Sequence, residues 1–182
     1  MDALPSDVST VLEGAQTKAT NGLVYTYVKT INGVPTSDAA VNAKVYERGT
    51  SIKLELSTPT RYDPATVVDE VILDTAAKTA TGYCTSKIIC GQSAPITRTA
   101  SYSDYDFTQP LEWLTGLTSP KKLGDENIDN RAAIKLSGVV DGNQITMWAD
   151  RYSGVPVRVD VGNIEYTYQK VALGVTDTDL KP

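Results

Sequence analysis

Residues 124–161 decide the fold, and they read GDENIDNRAAIKLSGVVDGNQITMWADRYSGVPVRVDV. A first strand runs to Val140, and the Asp-Gly pair at residues 141–142, flanked by alternating apolar residues, is a strong hairpin signal. A second strand includes residues 147–150. Residues 153–156, Ser-Gly-Val-Pro, are typical of a turn that precedes another strand. The stretch therefore predicts three consecutive antiparallel strands.

Two short motifs flank the hairpin. They are Gly124-x-Glu126-x-Ile128-Asp129-x-Arg131-x-Ala133 and Trp148-x-Asp150-x-x-x-Gly154-x-Pro156-x-Arg158. Together with residues 43–55, they resemble the LolA/LppX-like superfamily of extracytoplasmic lipoprotein carriers and lipid-binding lipoproteins. Asn130 stands where the family usually has glycine, Val155 where it has leucine, and Lys53 where arginine is commoner. The resemblance covers about residues 22–172 in order.

The chain also predicts helices at its start and in its middle, at residues 6–18 and 108–115. With about nine antiparallel strands, this pattern predicts the α+β class. We expect a strongly curved antiparallel β-sheet, a half-barrel, wrapping two or three helices. A single LolA-like domain would cover residues 1–182, with a core at about 22–172 and a polar tail at 174–182. Residues 58–64 are expected to connect strands, and residues 85–105 to form an irregular loop.

Composition excludes several classes of function. The 182 residues carry a net charge of −5, which disfavours nucleic acid as a partner because phosphate binding needs clustered Lys and Arg. The chain contains no histidine, which removes Ser-His-Asp and Cys-His catalysis and imidazole metal sites. No stretch reaches the roughly 18 apolar residues of a membrane span.

Cys84 and Cys90 are the only two cysteines, and their spacing does not match C-x-x-C redox or zinc motifs. They are either two reduced thiols or one disulfide that closes a short loop. A disulfide would imply an oxidising compartment. No signal-peptide pattern precedes Leu4, which fits a cytosolic protein or one whose export signal has been removed. The resemblance favours the second interpretation, with the protein in the periplasm or at the cell surface, exported or lipid-anchored.

The motifs that resemble catalytic or metal sites are incomplete. Residues 125–130 start like a calcium loop, but Asn130 and Leu136 stand where glycine and a bidentate glutamate belong. The carboxylate pair Asp69 and Glu70 is expected to point to opposite faces of a strand and to be solvated. We therefore expect no catalytic residue, no metal and no cofactor.

Ten tyrosines against one phenylalanine suit either ordinary sheet packing or the margin of a binding surface. Packing is the favoured interpretation.

The favoured function is a non-enzymatic carrier or binding protein with an apolar cavity. By resemblance, its ligand would be acyl chains of a lipid or an acylated lipoprotein. Alternation and helical spacing select as cavity residues Leu54, Leu56, Leu111, Leu114, Ile134, Leu136, Ile145 and Met147. The alternative is a protein-interaction or structural module of a membrane-anchored surface lipoprotein whose core is filled. We expect a monomer.

Overall fold

A computed structural model describes residues 4–63 and 66–182. Its helices are α1 (Ser6–Lys18), α2 (Lys87–Cys90), α3 (Tyr102–Tyr105) and α4 (Glu112–Thr115). Its strands are β1 (Leu23–Ile31), β2 (Val34–Pro35), β3 (Lys44–Arg48), β4 (Ser51–Asp63), β5 (Thr66–Asp74), β6 (Thr79–Cys84), β7 (Ile96–Thr99), β8 (Thr118–Ile128), β9 (Arg131–Val140), β10 (Asn143–Asp150), β11 (Pro156–Val161) and β12 (Ile164–Leu173). Within these residues, no helix is both long and apolar enough to cross a membrane.

The described strands form one open, antiparallel, 12-stranded sheet. Their order is β7-β6-β5-β4-β3-β1-β12-β11-β10-β9-β8, and β2 pairs with β1. The predicted α+β class is confirmed, and the open antiparallel sheet agrees with the predicted half-barrel topology. The prediction of about nine strands was too low, because β2, β7 and β8 were not recognised.

The chain divides into two compact units, each built from separated segments. The helix unit comprises residues 4–20, 28–36 and 108–171. The disulfide unit comprises residues 21–27, 37–63, 66–107 and 172–182. The assignment of residues 1–182 to a single domain stays a prediction.

In the helix unit, β9, β10 and β11 are the three strands predicted from residues 124–161. The turn between β9 and β10 has φ values of 48° at Asp141 and 79° at Gly142, as an Asp-Gly hairpin requires. Strand β8 pairs with β9 although it was not predicted. Its sequence is rich in Gly, Asp, Glu and Asn, which strands usually avoid.

The helices differ in how well the sequence predicted them. Helix α1 covers the predicted residues 6–18, although Pro5 is its N-cap and no side chain caps it. The predicted helix at residues 108–115 is only the four-residue α4. Before it, the carbonyl of Thr108 accepts a hydrogen bond from the Tyr168 hydroxyl at 2.8 Å. Thr108 is thereby held by the sheet and does not start a helix.

In the disulfide unit, β4 continues to Asp63, so the predicted connection at residues 58–64 is wrong for its described part. The pairing of β4 with β5 shifts register between Glu55 and Thr60. Such a bulge accommodates Pro59, which has no N–H to donate. Residue 64 lies outside the described residues. The stretch expected to be irregular, residues 85–105, contains α2, β7 and α3.

The predicted polar tail is docked on the disulfide unit. Val175 is buried, and its carbonyl accepts a hydrogen bond from Arg48 at 2.9 Å. The Lys53 ammonium donates to the carbonyl of Lys181 at 2.7 Å. Carbonyl groups of the tail thus accept hydrogen bonds from one cationic side chain of β3 and one of β4, and the tail is part of the folded unit.

Candidate ligand-binding site

Four of the predicted cavity residues share one face of the sheet in the helix unit. Met147 is the cross-strand partner of Leu136, and Ile145 is the partner of Gly138. Ile134 and Leu136 alternate with residues of the opposite face along β9. All four apolar side chains are at most 4% exposed. They form a continuous apolar surface, as the alternation of β9 and β10 predicts.

Leu117, two residues beyond the end of α4, lies on this surface. A Cβ at Gly138 would stand 2.5 Å from the Leu117 side chain, so the glycine provides the space in which Leu117 packs. Leu117 also lines a cavity of about 250 Å³, together with Leu114 of α4 and Leu12, Glu13 and Gln16 of α1. The predicted residue Leu114 therefore lies at an opening between two helices. The predicted residue Leu111, three residues before Leu114, is half-buried.

The two remaining predicted cavity residues belong to the disulfide unit. Leu54 is fully buried, whereas Leu56 is only half-buried. Leu54 is part of a cross-strand row that runs through six neighbouring strands, and the row consists of Tyr25, Val45, Leu54, Val71, Gly82 and Arg98. Five members are buried, and the arginine ends the row on edge strand β7. The structure therefore divides the predicted set between two units.

A cavity of about 580 Å³ lies beside this arginine. Its lining includes Tyr62, Thr97, Arg98, Thr99 and Asp104. Sequence reasoning did not select these residues, because residues 85–105 were expected to be an irregular loop. The available signal was the alternation of Ile96, Arg98 and Ala100, which places a charge on an otherwise apolar side of a short strand.

The motif residues Glu126, Trp148 and Arg158 form a structural cluster in the helix unit. The Trp148 ring lies between two cations, with Lys135 Nζ 4.9 Å and the Arg158 guanidinium carbon 4.7 Å from its centroid. Its Nε1 donates to Glu126 at 2.8 Å. Hydrogen bonds from Lys135 first, and then from Trp148, lower the pKa of Glu126 below its ordinary value. The cluster ties β8, β9, β10 and β11 together.

A second group of motif residues shapes the loop between β10 and β11. The buried Asp150 carboxylate accepts hydrogen bonds from the backbone N–H groups of Tyr152 at 3.0 Å and Ser153 at 2.7 Å. Its other oxygen lies 3.4 Å from Arg131, which also donates to the carbonyl of Val171. Asp150 and Arg131 therefore stabilise the fold.

Gly154 is the motif residue that brings α1 onto this loop. Its φ is +77°, and a Cβ there would overlap the Val11 carbonyl oxygen and stand 3.0 Å from the Ala15 Cβ. Only glycine combines this conformation with so close an approach of a helix. The motifs that carry the family resemblance thus encode the fold and the position of α1.

The carboxylates considered for chemistry serve structural roles. Asp69 accepts backbone hydrogen bonds from Thr85 at 2.8 Å and Ser86 at 3.0 Å, and Glu70 pairs with Lys53 at 3.0 Å. The prediction that both would be solvated is therefore wrong. Asp125, the first residue of the calcium-like string, bonds Lys122 and Arg151, each at 2.8 Å. These bonds, that of Lys122 first, lower the pKa of Asp125.

The disulfide interpretation of the cysteines is confirmed. Cys84 and Cys90 are bonded, with their Cα atoms 6.0 Å apart, and they enclose α2. The enclosed helix exposes Ile88 almost completely, at 98%, and Ile89 at 45%.

Several tyrosines are packing residues, which is the interpretation that the composition favours. Tyr25, Tyr27, Tyr105 and Tyr168 are at most 2% exposed. The hydroxyl of Tyr168 accepts a hydrogen bond from Trp113 at 2.7 Å.

No protein-family model and no curated protein matches the chain. Among solved structures, LprF from Mycobacterium bovis aligns with a TM-score of 0.55 over 98% of this chain and 97% of its own, at 15% identity. The Mycobacterium tuberculosis lipoprotein LppX aligns with a TM-score of 0.51 over 93% and 97%, at 17% identity. The chain has the fold of LprF and LppX. The resemblance predicted from residues 22–172 is confirmed at the level of the fold.

MucB also has this fold, with a TM-score of 0.55 over 99% of this chain at 14% identity. The chain spans 64% of the length of the MucB chain. MucB from Pseudomonas aeruginosa has a further structure in complex with MucA, which aligns with a TM-score of 0.52 over 97% of this chain and 61% of that chain at 14% identity.

Proposed function

We propose that the protein is a non-enzymatic carrier or binding protein for acyl chains of a lipid or an acylated lipoprotein. The observation that carries the proposal is the apolar sheet face of the helix unit, with an opening lined by leucines of α1 and α4. Apolar burial alone binds an acyl chain, because each methylene removed from water contributes about 0.8 kcal/mol. The superfamily that the sequence resembles contains lipid-binding lipoproteins, and the disulfide supports an extracytoplasmic location.

Binding requires α1 or α4 to move. The opening has a volume of about 250 Å³, below the roughly 300–1,000 Å³ of typical ligand pockets. Trp113 of the four-residue helix α4 is buried and bonds Tyr168, so the half-buried Leu114 is the part of α4 that moves. In this mechanism, Leu111, Leu114, Ile134, Leu136, Ile145 and Met147 contact the chain. The assignment of Leu54 and Leu56, which lie in the disulfide unit, as ligand contacts stays a separate prediction.

The test is to fill the opening between α1 and α4 with a larger side chain. Leu114→Trp places an indole where the chain enters, and Leu123→Trp is the matched control because Leu123 is 56% exposed on β8. Displacing two or three methylenes costs about 2 kcal/mol, so Leu114→Trp weakens binding about 30-fold. The assay is titration with a fluorescent fatty acid, dansylaminoundecanoic acid, after circular dichroism has shown that both variants are folded. Equal affinity of Leu114→Trp and wild type contradicts the placement at the helices.

A second candidate function, protein interaction, is favoured by the exposed isoleucines of α2. The disulfide and the hydrogen bonds to Asp69 hold the ends of this loop, so Ile88 and Ile89 are displayed on a constrained turn. Exposed apolar side chains of this kind are typical of a surface that contacts another protein. Native mass spectrometry separates the candidates. A protein free of lipid that also fails to bind the fatty acid supports the interaction module.

A further inference from the structure

The 580 Å³ cavity of the disulfide unit lies at the margin of its sheet. Residues 97–101 of β7 and the following turn line one side, and Tyr62 of β4 and Asp104 of α3 also contribute. Strand β7 ends the sheet, with β6 as its neighbour. The cavity is therefore accessible from outside while it adjoins the interior of the unit.

Arg98 leaves β7 on the buried side of the sheet. Its cross-strand partner is Gly82, whose own partner is the buried Val71. A Cβ at Gly82 would stand 3.1 Å from the Val68 side chain and 3.4 Å from the Ala100 Cβ. Because Val68 is fully buried, the guanidinium emerges next to apolar side chains.

The guanidinium of Arg98 lacks a complete set of hydrogen-bond acceptors. Its Nε is buried and has no hydrogen-bond partner among the side chains described, those of residues 4–62 and 66–182. Arginine stays charged and carries five donors, and a buried donor without an acceptor is costly. An inward-facing charge also protects an edge strand from pairing with another chain. That role does not require a cavity of this size beside the charge.

The other polar groups of the cavity are mostly hydroxyls. Tyr62 contributes one, whereas Thr97 and Thr99 alternate with Arg98 along β7 and point to the opposite face. The Tyr62 hydroxyl lies 2.9 Å from that of Tyr105 and 3.3 Å from the Asp104 carboxylate. Burial first, and then the hydrogen bond with Tyr105, raise the pKa of Tyr62 well above its ordinary value, so its hydroxyl stays protonated. Asp104, the one acidic residue among the described part of the lining, is exposed and already accepts this bond.

We propose that this cavity binds a phosphate group through Arg98, either of a lipid head group or of free phosphate. The planar guanidinium fits two non-bridging phosphate oxygens at once. A single half-buried arginine needs no basic patch, which agrees with the net charge of −5. The inference goes beyond the proposed binding of acyl chains, and the probes below distinguish a lipid phosphate from free phosphate.

The experiment compares two lipids that share their acyl chains. Dioleoyl phosphatidylglycerol carries a phosphate and dioleoylglycerol does not, and inorganic phosphate serves as the third probe. Native mass spectrometry and calorimetry measure binding to wild type, Arg98→Gln and Arg98→Lys. Lys121→Gln is the control, because it removes one positive charge from an exposed position of β8 in the helix unit.

We expect wild type to prefer the phospholipid about tenfold, which corresponds to one charged hydrogen bond. Arg98→Gln abolishes the preference and leaves binding of dioleoylglycerol unchanged, Arg98→Lys retains part of it, and Lys121→Gln retains all of it.

The remaining outcomes separate the two proposals. Equal binding of both lipids by wild type, with no effect of Arg98→Gln, overturns the phosphate site and leaves the carrier function standing. Binding of inorganic phosphate alone, weakened in Arg98→Gln, supports the phosphate site and makes free phosphate its source, while it contradicts the carrier function. Binding of none of the three probes overturns both.

Discussion

Replacing Gly154 by alanine tests whether this glycine positions α1. The residue has φ +77°, and the added methyl group would overlap the Val11 carbonyl oxygen and meet Ala15 at 3.0 Å. The matched control is Gly142→Ala in the β9–β10 turn. Gly142 has φ +79°, and a Cβ there meets no described atom within 4 Å. The two substitutions therefore share the backbone penalty and differ in the contact with the helix.

The expected magnitude follows from these two contributions. A left-handed conformation costs an alanine about 1–2 kcal/mol, and the smaller entropy of the unfolded chain offsets about 0.4–1 kcal/mol of it. Gly142→Ala should therefore lower the free energy of unfolding by about 1 kcal/mol. Gly154→Ala adds an overpacking cost of about 2 kcal/mol, because either α1 or the loop must shift. The melting temperature of Gly154→Ala should lie about 4–8 °C below that of the control.

Urea unfolding followed by circular dichroism measures both variants, and the fatty acid titration is repeated on each. A displaced α1 also widens the opening next to Leu12, so Gly154→Ala should bind the fatty acid more tightly than Gly142→Ala. Equal unfolding free energies of the two variants, within about 0.5 kcal/mol, would refute the argument that Gly154 sets the helix position.

Two further predictions concern pH and the disulfide. The pKa of Glu126 is lowered from its ordinary 4.5 by Lys135 and Trp148, so its stabilisation is present above that value and is lost as the pH falls through the folded pKa. Between about pH 5 and pH 3, the melting temperature of Glu126→Gln should therefore fall less than that of wild type. Removing the disulfide in the double variant Cys84→Ser and Cys90→Ser should cost about 2 kcal/mol, because a short loop is no longer closed in the unfolded chain. A reductant should lower the melting temperature of wild type but not that of the double variant.

Local patterns predicted those parts of the fold where turn residues and alternation agree. The Asp141-Gly142 hairpin and the alternating β9 and β10 were readable because one face is apolar and the turn chemistry is specific. Strand β8 could not be predicted from its composition, which is unfavourable for a strand. It is a strand because it pairs with β9. The bulge of β4 was missed because Pro59 normally ends a strand, and only the partner strand decides where the register shifts.

The candidate site was predictable only in part. Alternation alone placed Ile134, Leu136, Ile145 and Met147 on one face, because cross-strand partners in a hairpin are fixed by the turn. Arg98 was not predicted, because residues 85–105 were expected to be an irregular loop and the short strand β7 is defined by its pairing with β6. The interactions of Lys53 with the C-terminal tail depend on tertiary contacts across 128 residues of sequence.

The segmented composition of the two units has a consequence for biogenesis. The disulfide unit includes residues 172–182, whose backbone carbonyls accept hydrogen bonds from Arg48 and Lys53. The helix unit likewise needs residues 156–161, which supply strand β11. Neither unit can therefore close before its last segment has left the ribosome. Until then, the nascent chain exposes apolar faces of its strands, and a chaperone that holds it open during this interval would protect it from aggregation.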